Sequence, residues 1–491
     1  MTTSTLATLT IGGDLQPGAA GSYPVHNPAR PAEIVGEAPA ADRAQLDAAV
    51  TAARRAAPGW RALDVAERIA KVGAAAATAG EQLKEQDGAR LYTSEHGKVL
   101  AEAGFEIDTA PVITAILGSM AEAALAPEQI DQQAPYPRLH REPYGVAALI
   151  IPFNWPFAVM MMKLASALTA GNTAVVKLPP TCPLATLQFG AAFAAALPPG
   201  AVNVLSAPGV ELAQALVTHP GIDVISLTGG PATGRAVMAA AAPRLTPLLL
   251  ELGGNDAAII APDMAISDQL VEQLVTATYT TGGQVCMAIK RLYAPRDRVD
   301  ELADAVLARC EREVVGDGLA DEVTLGPLHT AAGRDRVDAL VKDAAAQGAT
   351  VRTAGHIRDA DAGAGGYFVL PTVVTGLAPD CALAREEQFG PVLPIFGYHA
   401  IDDAVAAANA TDFGLTASVW TGDDALGEKV AGPAHRGHGQ HQLSRHGGAG
   451  PAGAVRRSRT VGSWPRARCR RYPGVHPASG LRSAACAAVG T

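Results

Sequence analysis

Between Gly145 and Gly234 the chain alternates short apolar runs with helical patterns, and this restricts the possible folds more than any other feature. The runs are Gly145–Ile151, Thr173–Lys177, Val202–Leu205 and Val224–Leu227. Helical spacing fills the intervals at Met160–Leu168, Leu184–Leu197 and Glu211–Val217. Glycine and proline turns punctuate them, at Pro152-Phe153-Asn154-Trp155-Pro156, Gly171-Asn172, Pro179-Pro180 and Thr228-Gly229-Gly230-Pro231. Strands of about five residues alternating with helices predict a parallel, doubly wound α/β sheet. Ligands of such sheets sit beyond the carboxyl ends of the strands. Asn154, Lys177 and Thr228 to Gly230 fall there.

On either side the pattern extends. Residues 1–40 read as extended segments and turns. Asp42–Ala79 and Leu83–Glu106 read as helical, from apolar residues at three- and four-residue spacing. The second stretch carries Glu95-His96-Gly97-Lys98, which reads as a solvated helix face. Ile130–Tyr144 is polar and proline-rich, a short excursion between domain segments. Beyond Cys286 a second α/β pattern begins, with strands at Ile289–Ala294, Phe368–Val374, Leu393–Phe396 and Ala417–Thr421. Its helices are expected at Val299–Val314, Arg334–Gln347 and Ile401–Ala408. A length of 491 residues accommodates two or three domains.

The chemistry concentrates between Glu251 and Cys286. Glu251-Leu252-Gly253-Gly254-Asn255-Asp256 sets a carboxylate before paired glycines, and Cys286 follows Gly282-Gly283-Gln284-Val285. A cysteine nucleophile acts as thiolate and needs a partner to move protons in its second half-reaction. Glycines let backbone approach a ligand where a Cβ would collide. Taken alone, a cysteine among small residues is as well explained as an inert core residue. The other cysteines, Cys182, Cys310, Cys381, Cys469 and Cys486, show neither metal spacing nor a disulfide framework. No metal site is expected. No apolar run is long enough to span a bilayer, and a reducing, cytoplasmic setting is expected.

Four motifs in one order carry a resemblance to the aldehyde dehydrogenase superfamily over about residues 25–431. They are Phe153-Asn154-Trp155-Pro156, Glu251-Leu252-Gly253-Gly254, Gly283-Gln284-Val285-Cys286 and Glu386-Glu387-Gln388-Phe389-Gly390-Pro391-Val392. The resemblance implies an α/β fold with a Rossmann-type nucleotide-binding domain and an α/β catalytic domain. Residues 1–115 and 141–250 would form the first, 251–431 the second, and 116–140 a short oligomerisation element of a homodimer or tetramer. It also implies oxidation of a small-molecule aldehyde to a carboxylic acid with NAD or NADP. Cys286 resembles the nucleophile that passes through a thiohemiacetal and a thioester. Asn154 resembles the side-chain oxyanion donor that works with the Cys286 backbone N–H. Glu251 resembles the base that activates water, a role suited to a buried carboxyl raised towards neutrality. Lys177, with Thr181 near it, resembles the adenosine-ribose contact. Thr228, Gly229 and Gly230 match the pyrophosphate turn. Glu387 resembles the carboxylate that holds the nicotinamide ribose, with Phe389 against the ring, and Trp155 is a further cofactor-binding candidate. Two departures stand out. Pro180 occupies the place where many NAD-preferring members carry a glutamate, so NADP is expected to be accepted. Gly230 replaces the usual serine, leaving the pyrophosphate to backbone N–H groups at the next helix start. Met160, Met161 and Trp155 point to an apolar substrate. A CoA-acylating relative is disfavoured because such members usually lack a base at the Glu251 position.

The resemblance stops at about Gly432. All 48 acidic residues lie before this point, while the stretch after Lys429 holds ten Arg and five His. A basic nucleic-acid-binding arm, a disordered tail and a translated frameshift compete as explanations. The arginines follow no periodic face and the body is acidic, so no nucleic-acid partner is expected. Reading the codons one base on from Pro433 permits RLIEATVSIN, and later PLAPFGGRGRSGRGREL, which match the family's missing segments in order. The frameshift is therefore the preferred explanation. A fold that binds nucleotide but has lost catalysis through its altered end is the alternative function.

Overall fold

A computed structural model describes residues 7–129, 138–361, 363–431 and 442–446. Five parallel strands form the centre of the first sheet, in spatial order Leu248–Leu252, Val224–Gly229, Val146–Ile150, Thr173–Lys177 and Val202–Leu205. The antiparallel Leu9–Ile11 and Asp14–Gln16 extend it beyond Val202–Leu205. The strand order reverses between Val146–Ile150 and Val224–Gly229, and a crevice for a ligand opens at such a switch point.

Alternation along each strand divides the core into two layers. Ala147, Leu149, Ala174 and Val176 pack with the helices Val65–Glu85, Leu100–Leu125, Pro156–Thr169 and Leu184–Ala195. Val146, Ala148, Ile150 and Val175 face the opposite layer, with Arg43–Arg61, Glu211–Thr218 and Pro231–Ala241. Because both faces are covered, these strands are apolar throughout, unlike half-exposed strands.

The second sheet runs Thr350–Thr353, Thr372–Thr375, Val392–Tyr398, Ile289–Pro295, Asp256–Ile260, Thr416–Trp420 and Gln442–His446. All its neighbours are parallel except the first pair. The first sheet ends at Leu252 and the second begins at Asp256, so Glu251, where the boundary was expected, still belongs to the last strand of the first sheet.

Several expected elements differ. The Asp42–Ala79 pattern is two helices, Arg43–Arg61 and Val65–Glu85, each preceded by an aspartate capping box at Asp42 and Asp64. Leu83–Glu106 divides into Gly88–His96 and Leu100–Leu125, broken at Gly97 with φ of 97°. There a side chain would crowd Pro327 and Pro28. The Val299 helix stops at Cys310, and Val314–Val315 pairs instead with His356–Ile357. Only the last three residues of the Phe368–Val374 run are strand, in Thr372–Thr375, which begins after Pro371, a residue with no N–H for a ladder. The helix Leu100–Leu125 covers the start of the expected 116–140 excursion, which becomes a two-stranded ribbon of Glu128–Gln129 and Arg138–Leu139. Residues 130–137 lie outside the described residues. In the tail, Gln442–His446 pairs in parallel with Thr416–Trp420, although no apolar alternation announced a strand. Backbone pairing alone suffices for a ladder. The rest of the tail lies outside the described residues.

Glu95-His96-Gly97-Lys98 is not a solvated face. Glu95, His96 and Lys98 are all buried. Glu95 accepts from the N–H groups of Leu184 (2.7 Å) and Ala185 (2.9 Å), capping the helix they start. Burial pushes its carboxyl up to about 8. Lys98 pairs with the equally buried Glu106, and Glu106 also accepts from Tyr92 Oη (2.6 Å) and Ala158 N (3.1 Å). Cutting a pair of this kind leaves an uncompensated buried charge and costs about 3–5 kcal/mol. Glu106→Ala should lose that much in a denaturant titration, and Lys98→Met in the same chain should return part of it. Equal stability of Glu106→Ala and the parent would exclude a structural role for the pair.

Candidate active site

Four loops converge, two leaving the carboxyl ends of strands in the first sheet and two entering the amino ends of strands in the second. The Phe153–Pro156 turn leaves the strand Val146–Ile150, and the Asn154 side chain is buried. Asn154 Nδ2 donates to Gln284 O at 2.8 Å, while Lys98 Nζ donates to Asn154 O at 3.1 Å. The turn is thus held from both sides, and the amide reaches the residue two before Cys286.

Gln284 fastens the nucleophile loop. Its Nε2 donates to Thr281 O (3.0 Å) and its Oε1 accepts from His329 N (2.9 Å). Glu102 accepts from Thr281 N at 2.8 Å. Thr281, Gly282 and Gly283 all have positive φ, of 54°, 64° and 72°. A Cβ on Gly283 would run into the Gly390 carbonyl. The Gly-Gly-Gln sequence is therefore required by a close crossing of two main chains.

Cys286 is partly exposed, and burial pushes its thiol up to about 11; Lys290 opposes the rise, and Asp256 and Glu387 add to it. A Cβ on Gly254 would stand 2.7 Å from Cys286 O, so the Gly253-Gly254 turn packs directly on the nucleophile loop. Asp256 accepts from Thr416 N (3.1 Å) and Thr416 Oγ1. Glu251 is exposed near the end of Leu248–Leu252, not enclosed in a buried site as expected. It interacts electrostatically with Lys163. The sequence reading missed Lys163, although a single charge inside the apolar run Met160–Leu168 was its signal. Burial lowers its ammonium to about 8, and it donates to Ser226 Oγ at 2.7 Å.

The expected cofactor residues separate into two groups. Lys177 is buried at the end of Thr173–Lys177, where burial lowers its ammonium to about 8. Among the described residues its ammonium makes no hydrogen bond or ion pair. Thr228 and Gly229 end the strand Val224–Gly229, and Gly230 caps the helix Pro231–Ala241, with open space where its Cβ would be. A buried ammonium at one strand end and a helix N-terminus two strands away on the same edge of the sheet suit the ribose and anionic groups of a dinucleotide. Thr181 is engaged elsewhere, its hydroxyl bonded to His329 Nε2 at 2.5 Å. Phe153 stacks on His329 at 4.7 Å.

At the other end, Glu387 accepts from the Gly254 backbone and pairs with Lys290 at 3.2 Å. Burial raises its carboxyl, with Lys290 opposing. Phe389, with φ of 49°, sets its ring edge-on to Phe153 at 5.9 Å. Trp155 lies over Lys98 Nζ (4.4 Å) and meets Phe105 edge-on at 6.4 Å. Met160 and Met161 are fully buried in the first core and cannot line a pocket. Helical spacing turned them inward; their neighbour Met162 is the exposed one, as is Met287 beside the nucleophile.

The model of the aldehyde dehydrogenase family matches residues 16–445, beyond the limit of about 431 read from the motifs. A 3,6-anhydro-alpha-L-galactose dehydrogenase of Streptomyces coelicolor is 35% identical over 407 residues, covering 82% of this chain and 81% of its own. A geranial dehydrogenase of Castellaniella defragrans is 34% identical over 404 residues, or 80% and 81% of the two chains. Among solved structures, a betaine aldehyde dehydrogenase from Staphylococcus aureus in complex with NAD+ superposes with a TM-score of 0.82. It is 28% identical, covering 90% of this chain and 87% of that one.

The crossing at Gly283 gives a direct test. Gly283→Ala places a methyl group against the Gly390 backbone at a φ of 72°. Activity should fall at least about 100-fold through displacement of the loop, while the fold persists in circular dichroism. Full activity would mean that the loop does not depend on this contact.

Proposed function

The chain belongs to the aldehyde dehydrogenase family, and from that membership we infer that Cys286 is its nucleophile, Asn154 its side-chain oxyanion donor and Glu251 its base. The enzyme oxidises an aldehyde to a carboxylic acid with NAD(P). The observation that most supports the residue assignment is the 2.8 Å bond from Asn154 Nδ2 to Gln284 O. It brings the amide to the nucleophile loop while leaving its second N–H free to donate to substrate.

The Cys286 thiol, partly exposed, first gives its proton to solvent water, and the thiolate sulfur bonds to the aldehyde carbon. The carbonyl electron pair moves to oxygen, where the Asn154 amide and the Cys286 backbone N–H stabilise the charge. Losing one such donor costs about 100–1000-fold in rate. When bound, NAD(P) would supply the hydride acceptor needed for oxidation to the thioester. Lys177 and the N–H groups at the start of Pro231–Ala241 would hold its adenosine and pyrophosphate end, and Glu387 its nicotinamide ribose. Glu251 then takes a proton from water as the water oxygen bonds to the thioester carbon, and the carbon–sulfur bond breaks to release Cys286 and the acid. The exposure of Glu251 leaves it accessible to that water. A nucleotide-binding relic without catalysis gains no support, because nucleophile, amide and carboxylate all stand within their motifs.

Cys286→Ser should abolish aldehyde-dependent NAD(P)H formation while nucleotide binding persists, and a tenth of the parent rate would sink the nucleophile. Glu251→Gln should give one burst of NAD(P)H per site and then slow turnover; unchanged steady-state turnover would remove Glu251 from the role.

Pro180 presents no carboxylate against a 2′-phosphate, and a repulsion of that type is worth about 1–3 kcal/mol. NADP is therefore expected to be used alongside NAD. Pro180→Glu should lower kcat/KM for NADP relative to NAD by about tenfold or more. A parent enzyme that already rejects NADP a hundredfold would contradict this.

A further inference from the structure

Lys290 belongs to none of the motifs, yet it stands at the centre of the nucleophile's surroundings. It is the second residue of the strand Ile289–Pro295, and its side chain is buried. The strand pairing places Asp256 opposite Ile289 and then Ala257 opposite Arg291, so Lys290 is the extra residue of a bulge. Bulges re-aim a side chain out of the regular pleat. Here the ammonium is directed back to the loop that precedes its own strand. Lys290 Nζ donates to Val285 O at 2.8 Å and to Cys286 O at 2.9 Å. It also pairs with Glu387 Oε1 at 3.2 Å and lies 5.9 Å from the centre of the Phe389 ring. Gln388 Nε2 donates to Lys290 O at 3.0 Å, tying the same two segments a second time.

We propose that Lys290 is a positioning residue, one ammonium that fixes the Cys286 loop and the Glu387 carboxylate together and favours negative charge at the Cys286 sulfur. Asp256, behind the Gly253-Gly254 turn, and Glu387 are the acidic groups that oppose it at the thiol. Arg336 contacts the same Glu387 loop, donating to Glu387 O at 3.1 Å. Its charge favours the Glu387 carboxylate over the protonated acid. Because one cation serves both segments, the position of the ribose-holding carboxylate and the readiness of the thiol are linked through a single side chain. The proposal rests on the roles inferred above for Cys286 and Glu387.

Alkylation separates the two readings, because it is measured without turnover. The rate of iodoacetamide modification of Cys286 at pH 8 is followed by peptide mass spectrometry, with the buried Cys310 as a reference for intact packing. A neighbouring charge moves a thiol by about one unit or more, and the more basic thiolate regains part of the lost rate through its greater nucleophilicity. Lys290→Met should therefore slow Cys286 alkylation about three- to tenfold, and Lys290→Arg should restore part of the rate. Glu387→Gln should accelerate it by a similar factor. A purely structural lysine predicts the opposite for Lys290→Met: a loosened loop and faster alkylation of Cys286 and Cys310 together. That result, or an unchanged rate, overturns the proposal. If Lys290→Met does not fold, Glu387→Gln decides, and a rate equal to or below the parent's overturns it. An active Cys286→Ser enzyme would instead remove the nucleophile assignment and leave these alkylation rates standing.

Discussion

A buried ammonium must be paired, and the pairing of Lys98 determines much of what surrounds the site. Its charge is neutralised by Glu106 and shared with the faces of Trp155 and Tyr92, and its remaining donor capacity goes to Asn154 O. Glu106 in turn reaches Ala158 N at the start of the helix Pro156–Thr169. The helix pair around Gly97 therefore supports the amide that meets the nucleophile loop, through a chain of contacts in which every member but the half-buried Trp155 is buried. The low-dielectric interior makes each of these links stronger and the loss of any one expensive. From Asn154 the chain continues to Gln284 and on to His329, which stacks on Phe153. Residues far apart in sequence are held in one network by groups that could not be left unsatisfied.

The same logic applies to the other buried lysines around these loops. Lys98 and Lys290 are paired with Glu106 and Glu387, and Lys163 donates to Ser226. Lys177 is buried without a partner among the described residues. The three with protein partners organise backbone and side chains at the site. The proposed partner of Lys177 is the bound dinucleotide, in keeping with its place at the end of a parallel strand.

The doubly wound sheet was legible because burial on both faces makes its strands continuous apolar runs, as at Val146–Ile150 and Thr173–Lys177. Turn chemistry marked the site, since Asn154, Gly283 and Cys286 sit where the glycines and prolines announced a loop. The helix breaks at Ala62–Asp64 and Gly97 were hidden by apolar spacing that continues across them. The burial of Glu95 and Lys98 was equally hidden, because composition cannot distinguish a solvated charge from one paired across the fold. Met160 and Met161 went to the core through helical phase, which the sequence gives only once the helix start at Pro156 is known. Lys290 escaped for a similar reason: nothing local reveals a bulge, which is defined by the opposing strand. The edge strand Gln442–His446 rests on main-chain pairing, to which side-chain pattern is a poor guide.

The central claim is that chemistry passes through a covalent bond to the sulfur of Cys286. The most direct measurement is to mix enzyme, NAD(P) and an aldehyde substrate, quench with acid during turnover, and map the peptides by mass spectrometry. The account predicts an acyl group on Cys286, with Cys182, Cys310 and Cys381 unmodified. Acid product formed with no acyl group on Cys286, or with one on another cysteine, would contradict it.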